Sequence, residues 1–318
     1  MKNIAVVLAG GVGSRLNAGI PKQFLKVAGM TVIEHTISVF QHHPLIDEIA
    51  IVANEAYHVK IQEYVIKNQF RKVKKILMSG NERHFSSLSA IKAYEFEGEC
   101  KLIFHDAVRP LLNPYIVSQV VEALDEYGAV DVAIPSADTI IEVDENNIIT
   151  HIPQRKKLRR GQTPQGFRLG VIKEAYSVAL KDPTFVTTDD CGVVLKYLPN
   201  QPVFVVPGED VNMKLTYKED FYLIEKLFQL RMMNFHDYSL SVSDREKLRG
   251  KKVVIFGASS GIGFDLMNLC KDCGAKVFGF SRSLNNVNVA NAVDVRNALE
   301  IAAGQVGEID YVVDTASL

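Results

Sequence analysis

An α/β protein with a largely parallel sheet is predicted, followed by a second, smaller unit of similar pattern. Three observations predict it. Apolar runs of strand length alternate with helical periodicity from residue 4 onward, the first run opens into a glycine-rich loop, and the strand–loop–helix pattern restarts at Lys251. Strands are expected over residues 4–8, 48–52, 75–78, 102–105, 130–134 and 203–206, with helices over 32–40, 55–68, 86–94, 114–127 and 171–180. Between 136 and 160 the pattern changes to two short alternating strands, 139–143 and 148–152, separated by Asp144-Glu145-Asn146-Asn147. These read as a hairpin arm standing away from the sheet, a shape suited to reaching a second subunit. A helix over 218–232 closes the first unit. The expected domains are therefore 1–233 and 251–318, joined by a polar linker at 234–250.

Length and composition agree with two soluble units. The chain has 318 residues, against roughly 100–200 per domain. Lys plus Arg (36) nearly balances Asp plus Glu (37), so the net charge of −1 points to neither a nucleic-acid nor a membrane-surface partner, and any anionic substrate must be held by local cations. No apolar run approaches the roughly 20 residues that span a bilayer, and a cytoplasmic location is expected. Four cysteines are too few for a disulfide scaffold. Cys270 and Cys273 form C-x-x-C within a helical stretch, where two small apolar residues on a helix face account for them, and they receive no function.

Residues 8–25 read LAGGVGSRLNAGIPKQFL. Gly10, Gly11 and Gly13 let the backbone approach a phosphate and expose successive N–H groups. Ser14 adds a hydroxyl, and Arg15 and Lys22 add charge. The loop suits an anion, yet it has neither a G-K-[ST] ending nor G-x-G-x-x-G spacing.

This string resembles the signature of the methylerythritol-phosphate and ribitol-phosphate cytidylyltransferase family. The resemblance runs to about residue 230 and recurs in order as SGNERHFSS (79–87), HDAVRP (105–110), AIPSADT (133–139), RGQTPQGF (160–167), TTDDC (187–191) and NMKLT (212–216). It implies a Rossmann-like nucleotidyltransferase domain that joins CMP from CTP to a polyol phosphate. It assigns Ala9, Gly10, Gly11, Gly13, Ser14, Gly80, Ser86 and Asp106 to the nucleotide, with Asp106 also holding Mg²⁺ on the CTP phosphates. Ser86 equally suits an ordinary helix cap, and Asp189 and Asp190 equally suit loop formers. Arg15, Lys22 and Lys214 are the implied catalytic cations around the α-phosphate. In some relatives an acidic residue stands three positions before that lysine, where this chain has Val211, with Asp210 one place earlier. Arg109, which flanks Asp106, and Thr188 are implied to bind the polyol-phosphate substrate. Thr139 and Arg155 are implied to reach the substrate phosphate across a homodimer interface. Because a phosphate nucleophile is already ionised near neutral pH, no general base is required. Two acceptors compete, ribitol 5-phosphate and methylerythritol 4-phosphate. AGG at 9–11, HDAVRP, and IPQRKKLRRGQTPQ at 152–165 look closer to the ribitol-type members.

Residues 251–263, KKVVIFGASSGIG, resemble the opening of a short-chain dehydrogenase/reductase. Gly257, Ser259, Gly261 and Gly263 would seat a dinucleotide pyrophosphate on a helix N-terminus. Ser281 and Arg282 suit the 2′-phosphate of NADP, and Asp294 matches a residue that meets the adenine. Asp314-Thr315-Ala316-Ser317 departs from the usual N-N-A-G, and the Tyr-x-x-x-Lys at Tyr222 and Lys226 precedes the glycine loop, the wrong order for catalysis. A truncated chain, or a fragment of a bifunctional protein without dehydrogenase activity, is therefore expected, with the second domain incomplete and NADP a cofactor only if that domain is complete. An NADP-binding oxidoreductase and a non-catalytic nucleotide-binding protein are the competing classes.

Overall fold

The computed structural model describes residues 1–11, 20–80, 82–233 and 242–316. It divides into two compact units, Met1–Met232 and Met233–Leu318.

The first unit begins with β1 (Lys2–Ala9), a short hairpin of β2 (Lys26–Val27) and β3 (Met30–Thr31), α1 (Val32–His42), β4 (Glu48–Ala53), α2 (His58–Lys67), β5 (Val73–Met78), α3 (Arg83–Tyr94) and β6 (Cys100–Asp106). It continues with α4 (Pro114–Glu126), β7 (Ala129–Pro135), the arm strands β8 (Glu142–Val143) and β9 (Ile149–His151), β10 (Arg159–Gly161), β11 (Gln165–Arg168), α5 (Leu169–Ala179), α6 (Asp190–Tyr197), β12 (Val203–Pro207) and α7 (Lys218–Met233). Strands β6, β1, β4 and β5 are neighbours in that order and run parallel.

Along β1, odd residues Ala5 and Val7 enter one apolar cluster with α1, α2 and α4, while Ile4 and Val6 enter another with α3, α5 and α6. Both faces of the strand are thus buried, which is why its sequence shows an unbroken apolar run instead of alternation. Helix α1 starts in a full capping box, in which Glu34 N–H donates to the Thr31 hydroxyl and Thr31 N–H donates to the Glu34 carboxylate. Thr31→Ala is expected to cost about 1 kcal/mol of stability, read as a lower urea midpoint at unchanged slope.

The largely parallel sheet matches expectation, with one exception. Strand β11 runs antiparallel to both β6 and β7, and β10 runs antiparallel to β7. Gly161 faces Ala133 and Gly166 faces Val130, so five steps on one side meet three on the other, and the chain bulges after Gln162, whose N–H still donates to the Val132 carbonyl. These two short strands carry a break of polar residues, so no apolar run announced them. The hairpin arm forms where expected, with Glu142 opposite His151.

In the second unit, the stretch expected to be a linker contains helix α8 (Val242–Leu248). There follow β13 (Lys252–Phe256), α9 (Gly261–Asp272), β14 (Lys276–Phe280), α10 (Arg282–Asn285), α11 (Ala292–Val306) and β15 (Tyr311–Asp314), with the three strands parallel in the order β14–β13–β15. Gly263 admits α9 close to the sheet, since a Cβ there would meet the Gly257 carbonyl and the Thr315 hydroxyl. No helix among the described residues is long and apolar enough to cross a membrane.

Candidate active site

The first chain reversal in the large sheet lies between β1 and β6, where Leu8 pairs with Asp106 and β4 extends the sheet the other way. Open α/β sheets bind ligands at this place, beyond the carboxyl ends of the strands. The end of β1 supplies Ala9, Gly10 and Gly11, and Gln23 braces them by donating from Nε2 to the carbonyls of Ala9 (2.9 Å) and Gly11 (3.1 Å). Gly10 has no room for a side chain, because a Cβ would stand 2.6 Å from Ser79 Cβ and 3.3 Å from Ser86 Oγ. That geometry brings Ser86 to the loop. Helix α3 begins at Arg83, three residues earlier than expected, so Ser86 lies buried within its first turns and the capping alternative falls away. Gly80 abuts Phe85 Cβ at the mouth of the same helix. Lys22 opens the 3-10 turn Lys22–Phe24, while Gly13, Ser14 and Arg15 lie outside the described residues.

Asp106, 7 % exposed, ends β6 among three cations. Arg83 Nη1 donates to its Oδ1 at 2.8 Å; Lys214 Nζ and Arg109 Nε approach its Oδ2 at 3.0 and 3.5 Å. Burial by itself would raise the carboxyl's pKa, but Arg83, Lys214 and Arg109 outweigh it and hold the group well below the usual carboxylate range. Asp106 N–H donates to Thr163 Oγ1 (3.1 Å), and Arg109 Nη1 donates to the Asn212 carbonyl (2.7 Å). Asn212 is itself fixed through Nδ2 to the Thr163 carbonyl, so the strand bulge and the loop before Lys214 are tied together. Asp210 turns aside to Arg160, at 2.9 Å.

Residues that sequence reasoning missed stand behind Asp106. Arg83 Nη2 also meets Asp190 Oδ2 (3.2 Å), and Tyr176 donates its hydroxyl to Asp190 Oδ1 (2.7 Å). Asp189 is the N-cap of α6, accepting from Gly192 N–H, and is not a plain loop former. Tandem aspartates before an apolar run were a readable helix start.

His105 is fully buried between Thr163 Oγ1 (3.0 Å from Nδ1) and the Arg109 carbonyl (3.2 Å from Nε2). Burial pushes it down to about 4, so it is neutral at physiological pH. A folded-state pKa below the unfolded 6.5 means the unfolded chain binds more protons, so this contribution to stability is complete above 6.5 and is lost as pH falls toward about 4. Urea midpoints measured over that window should fall on acidification, and His105→Gln should flatten the slope.

The remaining residues spread outward. Thr188 is exposed just before α6, and Thr139 is exposed at the start of the arm. Arg155 lies at the arm's return, donating to the Ala137 carbonyl (3.3 Å), beside a recess of about 650 Å³ lined by Pro135, Ser136, Gln154, Arg155, Lys156 and Arg159. In the second unit Gly257 (φ +80°), before α9, and Gly261 (φ +57°), its first residue, are left-handed, and Ser259 is half-buried between them. The Ser281 hydroxyl caps α10, next to exposed Arg282. The Asp294 carboxylate is taken by Asn288 N–H and Asn291 Nδ2.

A glycine-lined strand end beside a buried carboxylate ringed by Arg and Lys has the chemistry to receive a polyphosphate. The family model described as IspD, 2-C-methyl-D-erythritol 4-phosphate cytidylyltransferase, matches residues 3–230, and the chain belongs to this cytidylyltransferase family. It is 43 % identical over 320 residues to the bifunctional ribulose 5-phosphate reductase/CDP-ribitol pyrophosphorylase Bcs1 of Haemophilus influenzae, covering 100 % of this chain and 67 % of that protein. It is also 43 % identical over 230 residues to the 2-C-methyl-D-erythritol 4-phosphate cytidylyltransferase of Thermobifida fusca, covering 71 % of this chain and 92 % of the relative. Among solved structures, 4-diphosphocytidyl-2C-methyl-D-erythritol synthase from Anaerococcus prevotii superposes with a TM-score of 0.64 at 27 % identity, covering 72 % of this chain and 96 % of that one. The chain is thus an enzyme of the nucleotidyltransferase class.

Proposed function

We propose that this chain transfers cytidine monophosphate from CTP to D-ribitol 5-phosphate, releasing pyrophosphate. The observation that carries the acceptor is the extent of similarity. The match to the CDP-ribitol pyrophosphorylase runs through both units, whereas that to the methylerythritol-phosphate enzyme covers 230 residues. Methylerythritol 4-phosphate remains the second reading, supported by the family description itself.

The acceptor's phosphate attacks the α-phosphorus of CTP. No protein base is needed, and His105, neutral and held on both nitrogens, is not placed to act as one. Ala9, Gly10, Gly11 and Ser86 shape the nucleotide end, joined in this reading by Gly13, Ser14 and Gly80. Lys22, Lys214 and Arg15 stabilise charge as the pentacoordinate centre forms. Among the described residues no group of three metal-ligating side chains exists. A single ionised carboxylate does fit Mg²⁺ carried in on a triphosphate, and Asp106 would hold it there. Bound so, Mg²⁺ would neutralise phosphate charge. Arg109 keeps Asp106 in place, while Thr188, and Thr139 and Arg155 from a partner's arm, would take the acceptor phosphate. The dimer reading draws support from the arm's exposed Ile140, Ile141, Val143, Ile148, Ile149 and Ile152. Cytoplasmic action suits four free, buried cysteines. In the second unit Gly257, Ser259, Gly261 and Gly263 would meet the pyrophosphate of NADP, with Ser281 and Arg282 toward its 2′-phosphate.

Incubation with CTP, Mg²⁺ and either polyol phosphate, following pyrophosphate release, tests the proposal. Release with ribitol 5-phosphate is expected. Release confined to methylerythritol 4-phosphate overturns the acceptor, no release with either overturns the reaction, and NADPH oxidation measured alongside with ribulose 5-phosphate tests the oxidoreductase reading.

A further inference from the structure

We propose that Arg83 and Asp190 form a positioning pair that sets the plane of the Asp106 carboxylate. This role rests on the reading of Asp106 as the group that meets metal-bearing CTP.

The two oxygens of Asp106 are treated differently. Oδ2 faces Lys214 and Arg109, and Lys214 is 41 % exposed, so this oxygen looks toward the mouth of the site. Oδ1 is held from behind by Arg83 Nη1 at 2.8 Å. Arg83 is in turn oriented by its other nitrogen, Nη2, which meets Asp190 Oδ2 at 3.2 Å and Gln165 Oε1 at 3.4 Å. Asp190 is 1 % exposed and is fixed by the Tyr176 hydroxyl on Oδ1 and by its own N–H on Gln165 Oε1. The sequence of contacts Tyr176–Asp190–Arg83–Asp106 thus crosses α5, α6, α3 and β6 and ends on one oxygen of the site's carboxylate. A planar guanidinium can address two carboxylates at once with fixed directions, and an ammonium cannot. With Oδ1 pinned by Arg83, Oδ2 is the oxygen offered to a ligand, because its partner Lys214 is the most exposed of the three cations and Arg109 stands off at 3.5 Å. Ser86 stands one turn along α3 from Arg83, against Gly10, so the same helix fixes the carboxylate and the nucleotide loop together.

The test uses the full chain and binding without turnover: titration calorimetry of CTP with Mn²⁺, or with EDTA, and no acceptor. Arg83→Lys and Asp190→Asn are each expected to weaken Mn²⁺-dependent CTP binding by about 10–100-fold, as loss of an outer partner of a ligating group does. Binding in EDTA should change less than about twofold, since the pair touches no part of the nucleotide itself in this reading. The double variant should be little worse than the weaker single, because both act through one contact sequence. Tyr176→Phe, the mildest change, should show a smaller loss in the same direction and keeps the test open if the charge variants fail to fold. Folded variants with parental Mn²⁺-dependent affinity, or an equal loss with and without metal, overturn the positioning role. A parent chain whose CTP affinity does not depend on Mn²⁺ overturns instead the reading of Asp106 on which this role stands.

Discussion

Replacing Lys214 by alanine is expected to lower kcat by a factor on the order of 10²–10³ while leaving the fold intact. The two effects separate because of where the side chain sits. Its ammonium stands 3.0 Å from Asp106 Oδ2 with 41 % of the side chain exposed. Removing the exposed ammonium end of such a pair costs little stability, roughly 0–1 kcal/mol, as long as the buried carboxylate keeps other partners. Asp106 also retains Arg83 and Arg109 when the lysine is gone. What disappears, in the proposed mechanism, is a preorganised cation where charge develops on the phosphate. Lys22→Ala should fall in the same range. Pyrophosphate release at saturating CTP, paired with urea midpoints, checks both, and near-parental turnover removes the residue from the mechanism.

Asp106→Asn should lose activity and also stability, by about 3 kcal/mol, the lower end of the range for breaking a buried pair. Arg83 keeps Asp190 as a partner, but Arg109 is left with the Asn212 carbonyl, so two guanidinium groups face an amide where a charge stood. The pH dependence carries a definite sign. The folded-state pKa is lowered, so the stabilisation is complete above the unfolded value of about 3.9 and is lost as pH falls through the lower folded value. The difference in urea midpoint between parent and variant should therefore hold steady from neutral pH down to about 5 and close only in stronger acid. A variant as stable as the parent would show that the cations need no carboxylate.

The fold was largely legible because strands buried on both faces write themselves as apolar runs, as in Ile4, Val6 and their odd-numbered neighbours in β1. The strand that runs against the others was not, since β10 and β11 are short and interrupted by Gln162 and Thr163, polar residues whose partners lie in β7 and β6. The glycine loop and Asp106 were readable from local chemistry and from the ordered motifs around them. Arg83 and Asp190 were not. In sequence they are single charges near the starts of two separate helices, and only packing α3, α6 and β6 together buries them against each other. Long-range pairs of polar residues leave no period to detect. Helix α6 was missed for a related reason, being eight residues long with Gly192 inside it.

The way the arm joins the sheet has an evolutionary consequence. Its two ends leave and re-enter side by side, Pro135 opposite Arg159, with Ser136 N–H donating to the Leu158 carbonyl at 3.2 Å. A segment whose ends meet across one rung is a cassette. Residues 136–158 can be exchanged between relatives, or lengthened at the Asp144–Asn147 tip, without altering the register that holds Thr163 beneath Asp106. Insertion of a single residue between Gly161 and Gln165, by contrast, would displace Thr163 directly. Under the proposal that Thr139 and Arg155 take the acceptor phosphate, acceptor preference is free to diverge in the arm while the phosphate chemistry stays fixed, which offers one route by which a single scaffold serves different polyol phosphates.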